Sequence, residues 1–441
     1  MQKAALHTLG CRLNQAETAI MARSLNRRGF EIVEFGETAD LIVINTCTVT
    51  EQADSKCRQA VRLALRKNPD TYVAVVGCYA QSGVDAIGKI DGVDLIIGNE
   101  HKLRVGEFLN GLRKQQEPQV VHTTDLPQAE FTISGSGLYN FNTRANLKIQ
   151  DGCNHFCSFC IIPTVRGRAR SREYDDIMRE ARELVAAGHQ ELVLTGVNIG
   201  TYRHNGKVLV DVVRGLEEVD GLERIRISSI EPTTIGGALV KHMAQSTKLC
   251  HYLHIPLQSG DDTVLRSMRR KHTLRPFTKF LERTHELVPD IGFGTDIMAG
   301  YPGETDEQFR NTIDTLTNLP FFYFHVFTYS DREGTHSQGL ENKVPHHVKK
   351  ARTRELITLS DRKRRAFYAQ HIGEEVEVLF EQIEDGYWTG YTPNYMRVHV
   401  KSDRPLDNKI QRVRLTALNG LQLIGELTTS PDSHQHLPFA V

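Results

Sequence analysis

The 441-residue chain holds no apolar run approaching the roughly 18 residues that would cross a bilayer, so no membrane partner is expected. It has no excess of charge either. Lys and Arg number 54 and Asp and Glu 54, with a pI of about 7.3. Total charge therefore does not announce a nucleic-acid partner, and any such contact must rest on local basic patches. The stretch MQKAALHTLGCRLNQ lacks the apolar core of a secretory signal and reads as a short strand. The cytoplasm is the expected location. In that compartment the eight cysteines are expected as reduced thiols or metal ligands rather than disulfides. A length of 441 residues leaves room for two or three domains.

What is present is a concentration of thiols. The stretch DGCNHFCSFCIIPTVRGRAR places Cys153, Cys157 and Cys160 within eight residues. A disulfide would use two of them, and a structural zinc site usually takes four ligands. Three thiolates on one loop suit a metal centre with one coordination position left open.

Three further cysteines have a common setting. KAALHTLGC, DLIVINTC and YVAVVGC are short apolar runs ending at Cys11, Cys47 and Cys78. Each has the length and branched side chains of a buried strand, and helical patterns lie between them. Repeated strand-helix units form a parallel sheet, whose strands all leave by one edge. The three cysteines should emerge at that carboxyl edge, where ligands bind in open α/β sheets. A single such cysteine is most simply a small core side chain. Three at equivalent strand ends, two behind a glycine, point to a second site. Cys57 and Cys250 lack that setting and read as core residues.

A polar stretch with proline and glycine follows, and a linker is placed at 115–138. Beyond it six strand patterns alternate with helices: ANLKIQDG, QELVLTG, ERIRISSI, YLHIPLQSG, GFGTDIMAG and FFYFHVFTYS. They predict an open barrel of parallel strands, with functional residues at the strands' carboxyl ends. From 371 onward, short strands separated by turns predict a small antiparallel β-barrel. The α/β chain thus divides into 1–114, an open parallel α/β domain; 139–370, a partial (β/α)6 barrel; and 371–441.

The CxxxCxxC loop after the first barrel strand resembles the radical S-adenosylmethionine (SAM) superfamily. That resemblance implies a [4Fe-4S] cluster on Cys153, Cys157 and Cys160, with SAM on its fourth iron and a 5′-deoxyadenosyl radical as product. GCRLNQAET, NTCTVTEQADSKCR and GCYAQ narrow it: together with RISSIEP, HIPLQSGDD and GYPGET they resemble the methylthiotransferases over nearly the whole chain. The family implies a second [4Fe-4S] cluster on Cys11, Cys47 and Cys78. It also implies SAM contacts from Gly196, Asn198, Ser229, Glu231, Gln258, Asp296 and Gly303, and a TRAM-like RNA-binding barrel at 371–441.

The implied reaction replaces an aromatic C–H of a hypermodified adenosine beside a tRNA anticodon by C–S–CH3. An electron donor such as flavodoxin or ferredoxin is implied as well, with the anticodon stem-loop as partner. Residues around Cys11 and Cys47 most resemble the branch acting on N6-threonylcarbamoyladenosine (t6A) at position 37. Isopentenyladenosine or a ribosomal-protein aspartate are the substrates of the neighbouring branches. A t6A enzyme should meet the substrate's carboxylate with a cation, and Arg166 or Arg168 is the expected residue. Both also suit RNA phosphate or the SAM carboxylate.

Residues 371–441 contain six Lys or Arg against ten acids, so phosphate attraction must come from elsewhere. The expected sources are the basic segment 349–365, MRRKH at 268–272, and Arg166, Arg168, Arg170 and Arg172. Tyr387, Trp388, Tyr391 and Tyr395 either stack on unpaired bases or pack the barrel. Two other readings remain open: a non-catalytic iron-sulfur sensor that binds RNA, and a structural zinc protein.

Overall fold

The computed structural model describes residues 1–428 except 115, 125, 127, 128 and 134–142. Its first sheet has six parallel strands: β1 (Lys3–Thr8), β2 (Glu31–Val33), β3 (Leu41–Thr46), β4 (Tyr72–Gly77), β5 (Leu95–Ile97) and β6 (Gln119–Val121), in the order β2-β1-β3-β4-β5-β6. Every residue of β3 and β4 is buried, as expected where helices cover both faces of a parallel sheet. Helix α1 (Arg12–Arg27) follows β1, and α2 (Glu51–Lys67) follows β3. The start of α2 is fixed by Thr50, whose side chain accepts from the Ala53 amide. Acids in its first turn and bases in its last match the helix dipole.

Strand β6 corrects one expectation. Gln119–Val121 pairs with β5, Leu95 opposite Gln119, so part of the presumed linker completes the first sheet. Three residues are too few for a periodic signal. Residues 134–142, which include the end of that linker, lie outside the described residues, as do 429–441.

All six expected barrel strands form: β7 (Ala145–Lys148), β8 (Glu191–Thr195), β9 (Arg224–Ile227), β10 (Tyr252–His254), β11 (Gly292–Ala299) and β12 (Phe321–Thr328). They pair in parallel as β7-β8-β9 and β10-β11-β12. Bridges Ile225–Leu249 and Ser229–His254 join the halves into one open arc. Leu147, Leu192, Leu194, Ile225, Leu253 and Phe293 form its core with the apolar faces of the surrounding helices. Among these are α3 (Tyr174–Ala186), which contributes Ile177, Ala181 and Leu184, and α4 (His346–Gln370), whose Ser360 hydroxyl accepts from the Phe324 amide at 2.9 Å on β12.

The last unit is a closed barrel of β13 (Glu375–Glu384), β14 (Tyr387–Tyr391), β15 (Arg397–Val400), β16 (Ile410–Asn419) and β17 (Gln422–Leu427), ordered β13-β14-β15-β17-β16. Its one departure from antiparallel pairing is β15 with β17. An odd number of strands cannot alternate direction around a closed ring, so one parallel pair is required.

Candidate active site

Cys11, Cys47 and Cys78 leave neighbouring strands at the carboxyl edge of the first sheet. Gly10 and Gly77 make their approach possible. Both have left-handed backbones, with φ +102° and +100°. A Cβ on Gly10 would fall 2.7 Å from the Cys47 Cβ, and one on Gly77 would fall 2.6 Å from the Asn45 side-chain Oδ1. Burial pushes the Cys47 thiol up to about 12, and the neighbouring Cys78 and Cys11 add to that. Cys78 packs against Ile161 and Val165, just beyond the second thiol loop.

That loop is held by its backbone. The Cys153 amide donates to Gly167 O, the Ser158 amide to Met268 O, and the Cys160 amide to Cys157 O. Burial raises the Cys153 thiol to about 11 and the Cys160 thiol to about 12, with the adjoining thiols contributing. Arg270, almost fully buried, donates to Cys157 Sγ at 3.4 Å. It also donates to both Glu231 oxygens, at 3.0 and 2.6 Å. Six free thiols in two sets of three are the donor set that iron-sulfur clusters take. The residues fit two such groups. Cys57 and Cys250 are buried core residues, as expected.

A buried charge network ties the first sheet to the thiol loop. Glu17 of α1 receives Lys102 at 2.5 Å, Lys148 at 2.8 Å and Arg166 at 2.9 Å. Asp151 receives Lys148 at 2.7 Å and Arg166 at 3.0 Å. Burial alone would raise both carboxyls, yet these cations hold them well below the usual range. The network accounts for Arg166, whose remaining nitrogen contacts go to Asn14. Its guanidinium is thus committed inside the protein rather than facing a substrate. Arg168 instead lies over the Phe156 ring at 4.3 Å.

A cavity of about 1030 Å³ lies between the three units. Cys11 and Cys47 line one side. Gly196, Ser229 and Asp296 line it from the barrel strands, and Glu381, Gln382 and Tyr395 from the last barrel. Asp296 is 2.9 Å from His254 Nε2 and 3.3 Å from His325 Nδ1. Burial would raise its carboxyl, but the two imidazoles hold it well below the usual range. Asn198 and Glu231 flank His155 on the thiol loop, at 3.5 and 3.9 Å. Gln258 adopts φ +76° and its amide donates to Asp296 O. Gly303 sits apart, in an exposed turn that presents Glu304 to Arg352 at 2.6 Å.

Several expected RNA contacts have structural partners instead. Within 349–365, Arg352 pairs with Glu304 and Asp306, and Lys349 and Lys363 donate to backbone carbonyls. Lys350, Arg354, Arg362 and Arg365 remain exposed. Arg172 is buried on Asp176 and Glu180, and Arg170 reaches Glu100. Tyr391 and Tyr395 are stacked at 4.8 Å, and Tyr395 on Tyr252 at 4.4 Å, so their faces are already covered. Trp388 packs against the barrel core. Arg12, Arg144, His254 and His325 line the cavity without having been singled out from the sequence.

Fold, thiol loop and strand-end cavity together define a radical SAM protein, and the Radical SAM superfamily model matches residues 147–316. The uncharacterized protein family UPF0004 matches residues 3–98. The chain is 38% identical to the threonylcarbamoyladenosine tRNA methylthiotransferase MtaB of Bacillus subtilis, over 94% of both chains. It is 32% identical to a tRNA-2-methylthio-N(6)-dimethylallyladenosine synthase of Cereibacter sphaeroides, over 96% of this chain and 98% of that one. The chain belongs to the radical SAM methylthiotransferase family. Among solved structures it shares its fold with the radical SAM methyltransferase TsrM of Kitasatospora setae, at TM-score 0.53 and 16% identity over 74% of this chain and 73% of that one.

Proposed function

We propose that this protein converts t6A at position 37 of tRNA to its 2-methylthio derivative. The observation that carries the reading is the cavity. Cys11 and Cys47 line it together with residues at the carboxyl ends of the barrel strands. Sulfur donor and radical source would then meet one substrate. The resemblance to the relatives named for t6A favours that substrate over isopentenyladenosine.

Cys153, Cys157 and Cys160 would hold one [4Fe-4S] cluster, and Cys11, Cys47 and Cys78 the other. The chemistry such clusters supply is one-electron reduction of SAM and a site for the sulfur to be transferred. The chain's own residues position and exclude. Arg270 and Glu231 fix the thiol loop, and the His254–Asp296–His325 group keeps a buried carboxylate charged beside the strand ends. SAM would lie against Gly196, Asn198, Ser229, Glu231, Gln258 and Asp296, with Gly303 shaping a more distant turn. Arg168 remains near the loop as an anion contact.

The first unit would run from residue 1 through Val121, the radical SAM unit over 139–370, and the TRAM-like RNA-binding unit from 371. The anticodon stem-loop is the tRNA part engaged, flavodoxin or ferredoxin the electron donor, and the cytoplasm the location. The test gives anaerobically reconstituted protein SAM, a reductant, sulfide and tRNA bearing either t6A or isopentenyladenosine. Nucleoside mass spectrometry should find the methylthio product from t6A, and preference for isopentenyladenosine would refute the assignment.

A further inference from the structure

We infer that Arg12, held by Tyr395 of the C-terminal barrel, receives the carboxylate of the substrate's threonylcarbamoyl side chain. The inference rests on the t6A reading and deepens it. The cavity wall carries several charged side chains. Arg226 grips Glu191 through two nitrogens, at 2.6 and 3.2 Å. Arg144 grips Glu381, at 2.5 and 3.3 Å. Asp296 is held by two histidines. Each of these charges is answered within the protein.

Arg12 is different. It follows Cys11 directly, lines the cavity and is only partly buried. Among the described residues it has no carboxylate partner; its Nη2 donates to the Tyr395 hydroxyl at 2.9 Å. A cation left without a counter-ion in a half-enclosed cavity is the natural seat for a carboxylate entering with the substrate. An isopentenyl group would leave that cation unanswered. Lys56 shares the wall but is solvent-exposed, so its charge is largely screened.

Tyr395 is built to aim the guanidinium. Its backbone is left-handed, with φ +72°, which a bulky residue rarely adopts. Its ring is clamped between Tyr252 and Tyr391. The last barrel thereby helps form the substrate pocket, and Tyr395 acts as a positioning residue for Arg12. Arginine also suits the role because its planar fork can meet both carboxylate oxygens.

The test uses reconstituted full-length protein and two anticodon stem-loops that differ only in carrying t6A or isopentenyladenosine at position 37. Dissociation constants and kcat/KM are measured for wild type, Arg12→Leu, Arg12→Lys and Tyr395→Phe, with iron per chain determined for each. Arg12→Leu should weaken t6A binding about a hundredfold relative to isopentenyladenosine. Arg12→Lys should restore part of this, and Tyr395→Phe should lower the same ratio several-fold. Should Arg12→Leu lose iron, Tyr395→Phe, whose residue lies in another unit, decides. Equal weakening of both stem-loops by either variant would mean a phosphate or cluster role and would overturn the inference. A wild type that prefers isopentenyladenosine would instead overturn the substrate reading itself.

Discussion

Arg166 and Glu17, 149 residues apart in the chain, meet through two parallel hydrogen bonds of 2.9 Å in a fully buried setting. This pair joins the first helix of the sheet domain to the short helix Ile162–Arg166 that follows Cys160. Removing one partner of a buried pair leaves the other charge uncompensated, at a cost of roughly 3–5 kcal/mol. Arg166→Leu should therefore lower the denaturant midpoint sharply. Arg166→Lys should recover only part, because an ammonium cannot reproduce the fork. An unchanged midpoint would show that Lys102 and Lys148 suffice.

Acid stability should follow the buried carboxylates. Glu191 lies beneath Arg226 and, although burial opposes ionisation, Arg226 and Arg144 bring it to about 2. A carboxyl depressed in the folded state stabilises fully above its unfolded value of about 4.3. That stability is lost as pH falls through the folded value. The contribution is roughly 3 kcal/mol, disappearing between about pH 5 and pH 2. Chemical denaturation across that window should show a shallower acid loss in Glu191→Gln, whose starting stability is lower. Identical pH slopes would contradict this.

Metal content should separate the two thiol sets. Reconstituted wild type is expected to carry about eight irons and eight sulfides. Cys153→Ala and Cys47→Ala should each retain about half. Of these two, only Cys47→Ala should still cleave SAM, whereas Cys57→Ala should keep full iron and both activities. Zinc in place of iron, or four irons in fully loaded wild type, would remove the two-cluster proposal.

Arg270 supplies a finer probe of the barrel loop. Arg270→Met withdraws the donor to Cys157 Sγ and leaves Glu231 facing the thiols unopposed. Iron bound by the barrel set should become labile to a chelator, while iron held by the Cys11 set persists. Equal chelator resistance in both proteins would show that Arg270 serves only to pack the loop.

The strand-end cysteines were legible from sequence because a parallel sheet sends every strand out by the same edge, so spacing alone places Cys11, Cys47 and Cys78 together. The six barrel strands were legible for the same reason, each being a short apolar run between helical patterns. Strand β6 was not, since its three residues carry no period. Arg166 sits in an arginine-rich stretch and reads as surface, because its partners Glu17 and Asn14 lie about 150 residues upstream. The basic residues of α4 likewise looked free, yet Arg352 folds back on Glu304. Arg12 lies within GCRLNQAET, but what distinguishes it is Tyr395, 383 residues away. Only the closed tertiary structure pairs them.

The decisive measurement is mass spectrometry of total tRNA nucleosides from cells of the source organism lacking this gene. The 2-methylthio form of t6A should vanish while t6A itself accumulates. A plasmid copy of the wild type should restore it, and Cys47→Ala should not. Retention of 2-methylthio-t6A in the deletion strain, or loss of the 2-methylthio isopentenyl nucleoside instead, would refute the t6A assignment.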